Sequence, residues 1–258
     1  MTSIARPIVF LHIPKTAGQT IHTELVKLVG GQQHVSPIRV HTQAAPDGQM
    51  PAGYRLYSGH IDWTGIDSLP QDRFAFTVLR DPKERIASFY FYLRKEAQQL
   101  SAADLARPEN LGKRKALEES ADDYFFGGDQ AWRNFILDHY DNFYCSYFAT
   151  RRMRGRQNLS GLGTPEIMAR AHAALAGLQG VYLTDRLDRL EDDIERNFGA
   201  RISVTGTYVN AGNHRADEKR WPKLAATLER DSSLALLEGF AYRDETLMAK
   251  AEYLLQPA

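Results

Sequence analysis

IVFLHIPKTAGQTIHTELVKL, residues 8–28, is the stretch around which the rest of the chain is organised. Ile8 to Leu11 is an apolar run with the length of a buried strand, and Thr20 to Leu28 places Ile21, Leu25 and Leu28 at helical spacing. Between them stand His12, Ile13, Pro14, Lys15, Thr16, Ala17, Gly18 and Gln19. Strand, tight loop and helix start form an arrangement that holds a phosphate, because N–H groups at a helix start lack intrahelical partners and the helix dipole favours negative charge there. Gly18 permits close backbone approach, Thr16, Gln19 and Thr20 supply polar side chains, and Lys15 supplies a point charge. The order is not that of a Walker A loop, in which the Lys follows the last Gly. Here Lys15 precedes Gly18 by three residues. The competing reading is an ordinary strand–turn–helix with a solvated Lys15.

Outward from this stretch, Tyr54 to Ser58 alternates as a strand and runs into Gly59-His60-Ile61-Asp62-Trp63. Phe74 to Leu79 reads as a fully buried strand that stops at Arg80-Asp81-Pro82. Pro82 suits the first position of a helix running to about Ala97, with Ile86, Phe89, Tyr90 and Leu93 on one face. Strands separated by helices predict an α/β fold with a central parallel sheet flanked by helices. Residues 32–53 read as loop with one short strand, and the polar stretch 98–120 as a mobile surface excursion. The aromatic-dense stretch 122–149 reads as one or two helices packed on the sheet. Arg151 to Arg156 reads as a solvated basic loop, with contact to an acidic substrate as the second reading. Later elements are a helix from Thr164 to about Leu178, a strand at 181–183, and a helix through Phe198 capped by Asp185. A loop at 205–215 precedes closing helices at 217–229 and 234–255. No repeat or linker divides the chain, so residues 1–258 read as a single domain.

Lys and Arg number 32, as do Asp and Glu, so no global charge points to nucleic acid or an anionic membrane. Any anion site has to come from local placement. The single cysteine, Cys145, excludes an intrachain disulfide and fits a reducing compartment. Residues 1–7 are too short and polar for a signal peptide, and no apolar run approaches a membrane span. These features predict a soluble cytoplasmic protein. Nothing in the sequence speaks to its oligomeric state.

A second constellation lies in Phe74 to Arg94, FAFTVLRDPKERIASFYFYLR. A buried strand delivers Arg80 to its carboxyl end, the edge where open α/β sheets bind ligands. Ser88 follows eight residues later, two turns along the next helix, so an Arg fork and a Ser hydroxyl could serve one phosphate. The competing reading pairs Arg80 with Asp81 or Asp62 and turns Ser88 toward a neighbouring helix.

Taken together the two constellations carry a resemblance. Pro14-Lys15-Thr16-x-Gly18-x-Thr20 resembles the 5′-phosphosulfate-binding loop of sulfotransferases that use 3′-phosphoadenosine-5′-phosphosulfate (PAPS). Arg80-Asp81-Pro82-x-x-Arg85-x-x-Ser88-x-Tyr90 is similar to the 3′-phosphate motif of the same family. Gly59-His60 resembles the Gly-His of the uronyl 2-O-sulfotransferases, in which this His is the proposed base, and YLTDRLDRLEDDI (residues 182–194) resembles a late strand–helix of that group. The likeness is local, over residues 8–30 and 57–97, weak from 98 to 175 and partial afterwards. His12 stands where that group often carries Arg, and the basic residues that grip its polysaccharide have no clear match.

The resemblance implies a P-loop-like sulfotransferase fold and in-line sulfuryl transfer from PAPS to an acceptor hydroxyl, releasing 3′-phosphoadenosine-5′-phosphate. It implies cofactor binding by Lys15, Thr16, Ala17, Gly18, Gln19, Thr20, Arg80 and Ser88. Arg215 joins them from a nucleotide-covering loop at 205–215. Lys15 would stabilise the leaving phosphate and His60 would be the base, with a pH dependence near 6–7 and with Gly59 leaving room for the acceptor. No metal is implied, and no Walker B-like Asp or His/Cys/Asp ligand spacing occurs. His139 and His172 read as surface or packing residues. The acceptor implied is a carbohydrate, with a small metabolite, lipid headgroup or peptide tyrosine left open. The alternatives are a nucleotide or small-molecule kinase and a catalytically silent nucleotide-binding protein.

Overall fold

The computed structural model describes residues 6–205 and 219–254, with the backbone alone over 251–254. Four strands, β1 (Ile8–Leu11), β2 (Leu56–Gly59), β3 (Phe74–Leu79) and β4 (Gly180–Leu183), pair in parallel in the order β2-β1-β3-β4. Every strand residue is buried, which is why β1 and β3 are near-continuous apolar runs; β2, Leu-Tyr-Ser-Gly, is buried without being one. The predicted α/β architecture with a central parallel sheet is the one observed.

Helix α1 (Gly18–Leu28) follows the first loop. It ends in a Schellman motif, with Gly30 N–H donating to Lys27 O and Gly31 N–H to Val26 O. The αL conformation this needs falls on Gly30, at φ 92°. Helix α2 (Pro82–Gln98) starts as the sequence predicts, with Pro82 at its first position and Asp81 accepting from Glu84 N–H at 2.8 Å. The stretch after it is not a loose excursion: α3 (Ala102–Leu105) and α4 (Leu111–Glu118) form there. Arg94 ties α4 down by donating to Ala116 O at 2.9 Å, and Ala116 is fully buried. Its polar composition reflects the outward faces of short helices.

Four further helices, α5 (Ala121–Phe126), α6 (Gln130–Tyr140), α7 (Phe143–Thr150) and α8 (Thr164–Ala176), precede β4. Helix α9 (Asp188–Phe198) begins three residues after Asp185, which therefore does not cap it; Leu187 holds that position without a side-chain cap. The first closing helix is only one turn, α10 (Trp221–Ala225). The second divides into α11 (Asp231–Gly239) and α12 (Tyr242–Leu254). Asn142 accounts for the restart, its Oδ1 accepting from Arg243 N–H at 2.7 Å.

The chain falls into two compact units. One holds residues 6–80, 144–205 and 247–254 of the described chain, and the other residues 81–143 and 219–246. The core of the first is the sheet with α1 and α9: Ile8, Phe10, Ile21, Phe76, Leu190 and Ile194. The core of the second is aromatic, with Tyr90, Tyr124, Phe125, Trp132 and Tyr140 packed on one another. Their polar ends are paired internally: the Tyr124 and Tyr140 hydroxyls lie 2.8 Å apart, and Trp132 Nε1 donates to Tyr124 O at 2.8 Å. These residues of the 122–149 stretch thus build a core of their own, which the sequence reading as a layer on the sheet did not foresee. No helix among the described residues is long and apolar enough to cross a membrane.

The segment 35–41 runs beside β2 through two isolated parallel bridges, Val35 with Leu56 and Val40 with His60. It pairs the outer edge of β2 that would otherwise be open, and it brings Arg39 and His41 beside the residue that follows that strand.

Candidate active site

Parallel strands share a carboxyl edge, and β1, β2 and β3 deliver His12, His60 and Arg80 there. In register, Leu11 lies opposite Gly59 on one side and Thr77 on the other. His12 and His60 are the next residues along, and their ring centroids are 4.3 Å apart. Arg80 has its backbone clamped at both ends by one side chain. The Tyr144 hydroxyl accepts from Arg80 N–H at 3.1 Å and donates to Arg80 O at 2.8 Å. Tyr144 thus fixes the backbone of Arg80, a contact that the aromatic density of 122–149 concealed.

The loop between β1 and α1 is held in an unusual backbone conformation. Lys15 and Ala17 have φ of 74° and 62°, the left-handed region that costs an L-residue roughly 1–2 kcal/mol. Alternation of such residues turns successive N–H groups inward to form an anion-binding concavity. The Thr16 hydroxyl is committed to the loop itself, donating to Ile13 O at 2.9 Å. Helices α2, α3, α5 and α6 each have a side-chain cap, from Asp81, Ser101, Ser120 and Asp129. Helix α1, like α4, α8, α9, α10 and α11, has no side-chain cap; it opens on Ala17 and has no acidic residue in its first turn. The dipole of a helix favours negative charge at such a start. Since Ala17 lies in the left-handed region, Ala17→Gly is expected to raise stability by about 0.5–1 kcal/mol in denaturant titration. A lower midpoint would show that the methyl group packs more favourably than its φ costs.

His60 is tied to β1 by its ring. Nδ1 lies 2.7 Å from His12 O. A carbonyl oxygen only accepts, so Nδ1 carries the proton and the neutral ring presents its lone pair at Nε2. Burial lowers the His60 pKa from 6.5; the His12 carbonyl opposes that shift, while Arg39, His41 and Lys15 add to it. The shift favours the basic form of the ring at neutral pH and moves its titration below the ordinary 6.5.

Around this pair lies a set of polar side chains that the sequence reading did not single out. Arg39 Nη1 donates to His22 Nε2 at 2.7 Å, which leaves the His22 Nδ1–H to donate to Ser58 Oγ at 3.0 Å. Burial, with the Arg39 charge beside it, lowers the His22 pKa to about 4. His22 stands four residues after Gly18, on the same helix face as the loop glycine, a spacing visible in the sequence. Arg39 lies in irregular chain and carries no such signal. His12 is the most enclosed of these rings, stacked on Phe10 at 5.3 Å and held well below pKa 6.5, first by burial and then by His60 and the neighbouring cations. Among the described residues, no three His, Cys, Asp or Glu side chains are disposed to hold a metal ion.

Gly59 does not provide room for an acceptor. A Cβ there would sit 2.2 Å from Arg39 O, so the space is filled by the backbone of the 35–41 segment, whose carbonyl accepts from His60 N–H at 2.9 Å. Gly59 is needed for strand-edge packing. A Cβ on Gly18, in turn, would sit 1.8 Å from Nε2 of His12. What approaches Gly18 within the protein is thus an imidazole ring.

In the second unit the structure divides the motif that starts at Arg80. Asp81 and Pro82 start α2. Arg85 is fully buried, donating to His139 O at 2.7 Å and stacked over the Phe143 ring at 4.5 Å. The Tyr90 hydroxyl accepts from Arg94 at 2.9 Å. Ser88 is buried two turns into α2. His139 is a packing residue, its ring 4.1 Å from that of Phe135. In the basic stretch, Arg151 pairs with Asp67 at 2.9 Å and lies over the Trp63 ring while staying partly exposed, and Arg154 and Arg156 are exposed. Of the proposed nucleotide-covering loop only Thr205 falls within the described residues; Arg215 lies outside them. Thr205 N–H donates to Glu191 Oε1 at 2.7 Å, which anchors the start of that segment.

A family model described as the sulfotransferase family matches residues 2–144, more than half of the chain. The chain belongs to the sulfotransferase family. The match covers the first loop, Gly59-His60 and the whole Arg80–Tyr90 motif. This sulfotransferase finds no match among curated proteins. Family membership makes it a transferase of sulfuryl groups, and the parallel sheet with its flanking helices is consistent with that fold.

Proposed function

We propose that this protein transfers the sulfuryl group of PAPS to a hydroxyl of a carbohydrate acceptor, with His60 as the base. The observation that carries the reading is His60 itself. Its Nδ1–H is bound to His12 O, its Nε2 is left as the basic nitrogen, and it follows β2 at the sheet edge from which the Lys15 loop also leaves. In the reaction the acceptor oxygen bonds to sulfur while its proton passes to His60 Nε2. The bond from sulfur to the bridging phosphate oxygen breaks, and that oxygen keeps the electron pair. Lys15 and the amides at the start of α1 are assigned to the charge that develops there, because stabilisation of nascent charge is where such donors act most strongly. The carbohydrate acceptor rests on the Gly59-His60 resemblance to the uronyl 2-O-sulfotransferases.

Arg80 and Ser88 are assigned to the 3′-phosphate of the donor on the motif that carries them. Arg80→Ala and Ser88→Ala are expected to weaken binding of 3′-phosphoadenosine-5′-phosphate, with Arg80 accounting for roughly 1.5–3 kcal/mol as a charge-assisted partner. Adenosine 5′-phosphosulfate, which lacks the 3′-phosphate, should bind the variants as it binds the parent. Equal weakening of both ligands in calorimetry would assign the two residues to the fold.

The overall reading is tested by thermal shift and then by turnover. 3′-Phosphoadenosine-5′-phosphate should stabilise the protein more than ADP with Mg²⁺, and labelled PAPS should yield a sulfated product by mass spectrometry of an acceptor panel. Preference for ADP with Mg²⁺ would reject it.

A further inference from the structure

Two features of the sheet edge are unexplained by sulfuryl transfer as described: the histidine at position 12, and the filling of the space above Gly18 by its ring. His12 is only 8% exposed. Its carbonyl takes the Nδ1–H of His60, its ring centroid lies 4.3 Å from that of His60, and its Nε2 occupies the volume that a Gly18 side chain would need. One residue therefore touches both the base and the first turn of α1. We propose that His12 is the positioning residue of this active site: its ring spaces the His60 imidazole from Gly18 and so fixes the basic nitrogen relative to the donor-binding loop. The proposal rests on the reading of His60 as the base.

The physical case is one of packing. The His12 ring is held on one side by Phe10, with the rings stacked at an interplanar angle of 16°. Phe10 is in turn stacked on Phe76 of β3 at 4.9 Å, so the ring stands on the rigid centre of the sheet. Close-packed interiors transmit displacement rather than absorb it. The charged and titratable groups facing His60 are His12 after β1, Lys15 in the loop, and Arg39 and His41 on the bridged segment. Removal of the His12 ring admits water beside His60, so its titration should move up toward the ordinary 6.5. A ring of similar size at position 12 should keep water out and leave the titration low.

The test uses the full chain and three readouts. In an imidazole NMR titration, His60 of His12→Ala should titrate at higher pH than in the parent, and His60 of His12→Phe close to the parent. In turnover, His12→Ala should lose roughly 10- to 100-fold in kcat with little change in 3′-phosphoadenosine-5′-phosphate binding. The third readout is compensation: Gly18→Ala should lower kcat at least about tenfold in the parent, and clearly less when His12 is already Ala, since the clash is then removed. An unchanged His60 titration in His12→Ala, or an equal Gly18→Ala cost in both backgrounds, would overturn the proposal. Failure of the base reading has a different signature: turnover is retained by His60→Ala while the upward shift of the His60 titration in His12→Ala remains.

Discussion

Replacing His60 with Ala is expected to lower kcat by about 10²–10⁴-fold, the usual worth of a positioned general base, and to leave 3′-phosphoadenosine-5′-phosphate affinity nearly intact. An alcohol is a weak nucleophile at neutral pH, and the loss falls on proton removal rather than on binding. The pH profile gives an independent check. Only the neutral ring accepts a proton, so activity rises with pH as His60 deprotonates. Burial, reinforced by Arg39, His41 and Lys15 against the His12 carbonyl, places that deprotonation below 6.5. The acid limb of kcat/KM should therefore have its midpoint below pH 6.5 and should vanish in His60→Ala. Near-normal turnover of that variant would remove His60 from the mechanism.

Lys15→Ala is expected to cost about 10²-fold in kcat and much less in product-nucleotide binding, because the interaction strengthens as charge develops on the leaving oxygen. The left-handed backbone at Lys15 adds a second element to this expectation. A lysine held at φ 74° occupies a region that usually takes glycine, and such local strain is found where surrounding structure over-determines a site. Lys15→Gly separates the two contributions. It relieves the backbone and removes the charge, so it should fold at least as stably as Lys15→Ala and be equally slow. Equal losses in kcat and in nucleotide affinity for Lys15→Ala would make Lys15 a plain phosphate-binding residue.

The sheet and the two motifs on its edge could be read from the sequence because their signals are local. Ile8–Leu11 and Phe74–Leu79 are apolar runs of strand length, Pro82 after Asp81 is a helix start by its own chemistry, and Lys15 to Thr20 is confined to six consecutive residues. Parallel topology then followed from alternation of strands and helices, and a shared carboxyl edge followed from parallel topology. What the tertiary structure alone decided is the neighbourhood of His60. Register sets Leu11 opposite Gly59, and this brings His12 onto His60 across 48 residues of sequence. The segment 35–41 lies in the stretch read as loop with one short strand; it forms two isolated bridges instead, and it brings Arg39 to His22 and its carbonyl against Gly59. Gly18 and Gly59 look alike in sequence as openings for a ligand. One makes room for an imidazole and the other for a backbone carbonyl, because the identity of the atom that fills a missing Cβ is a property of the packed chain and not of the glycine.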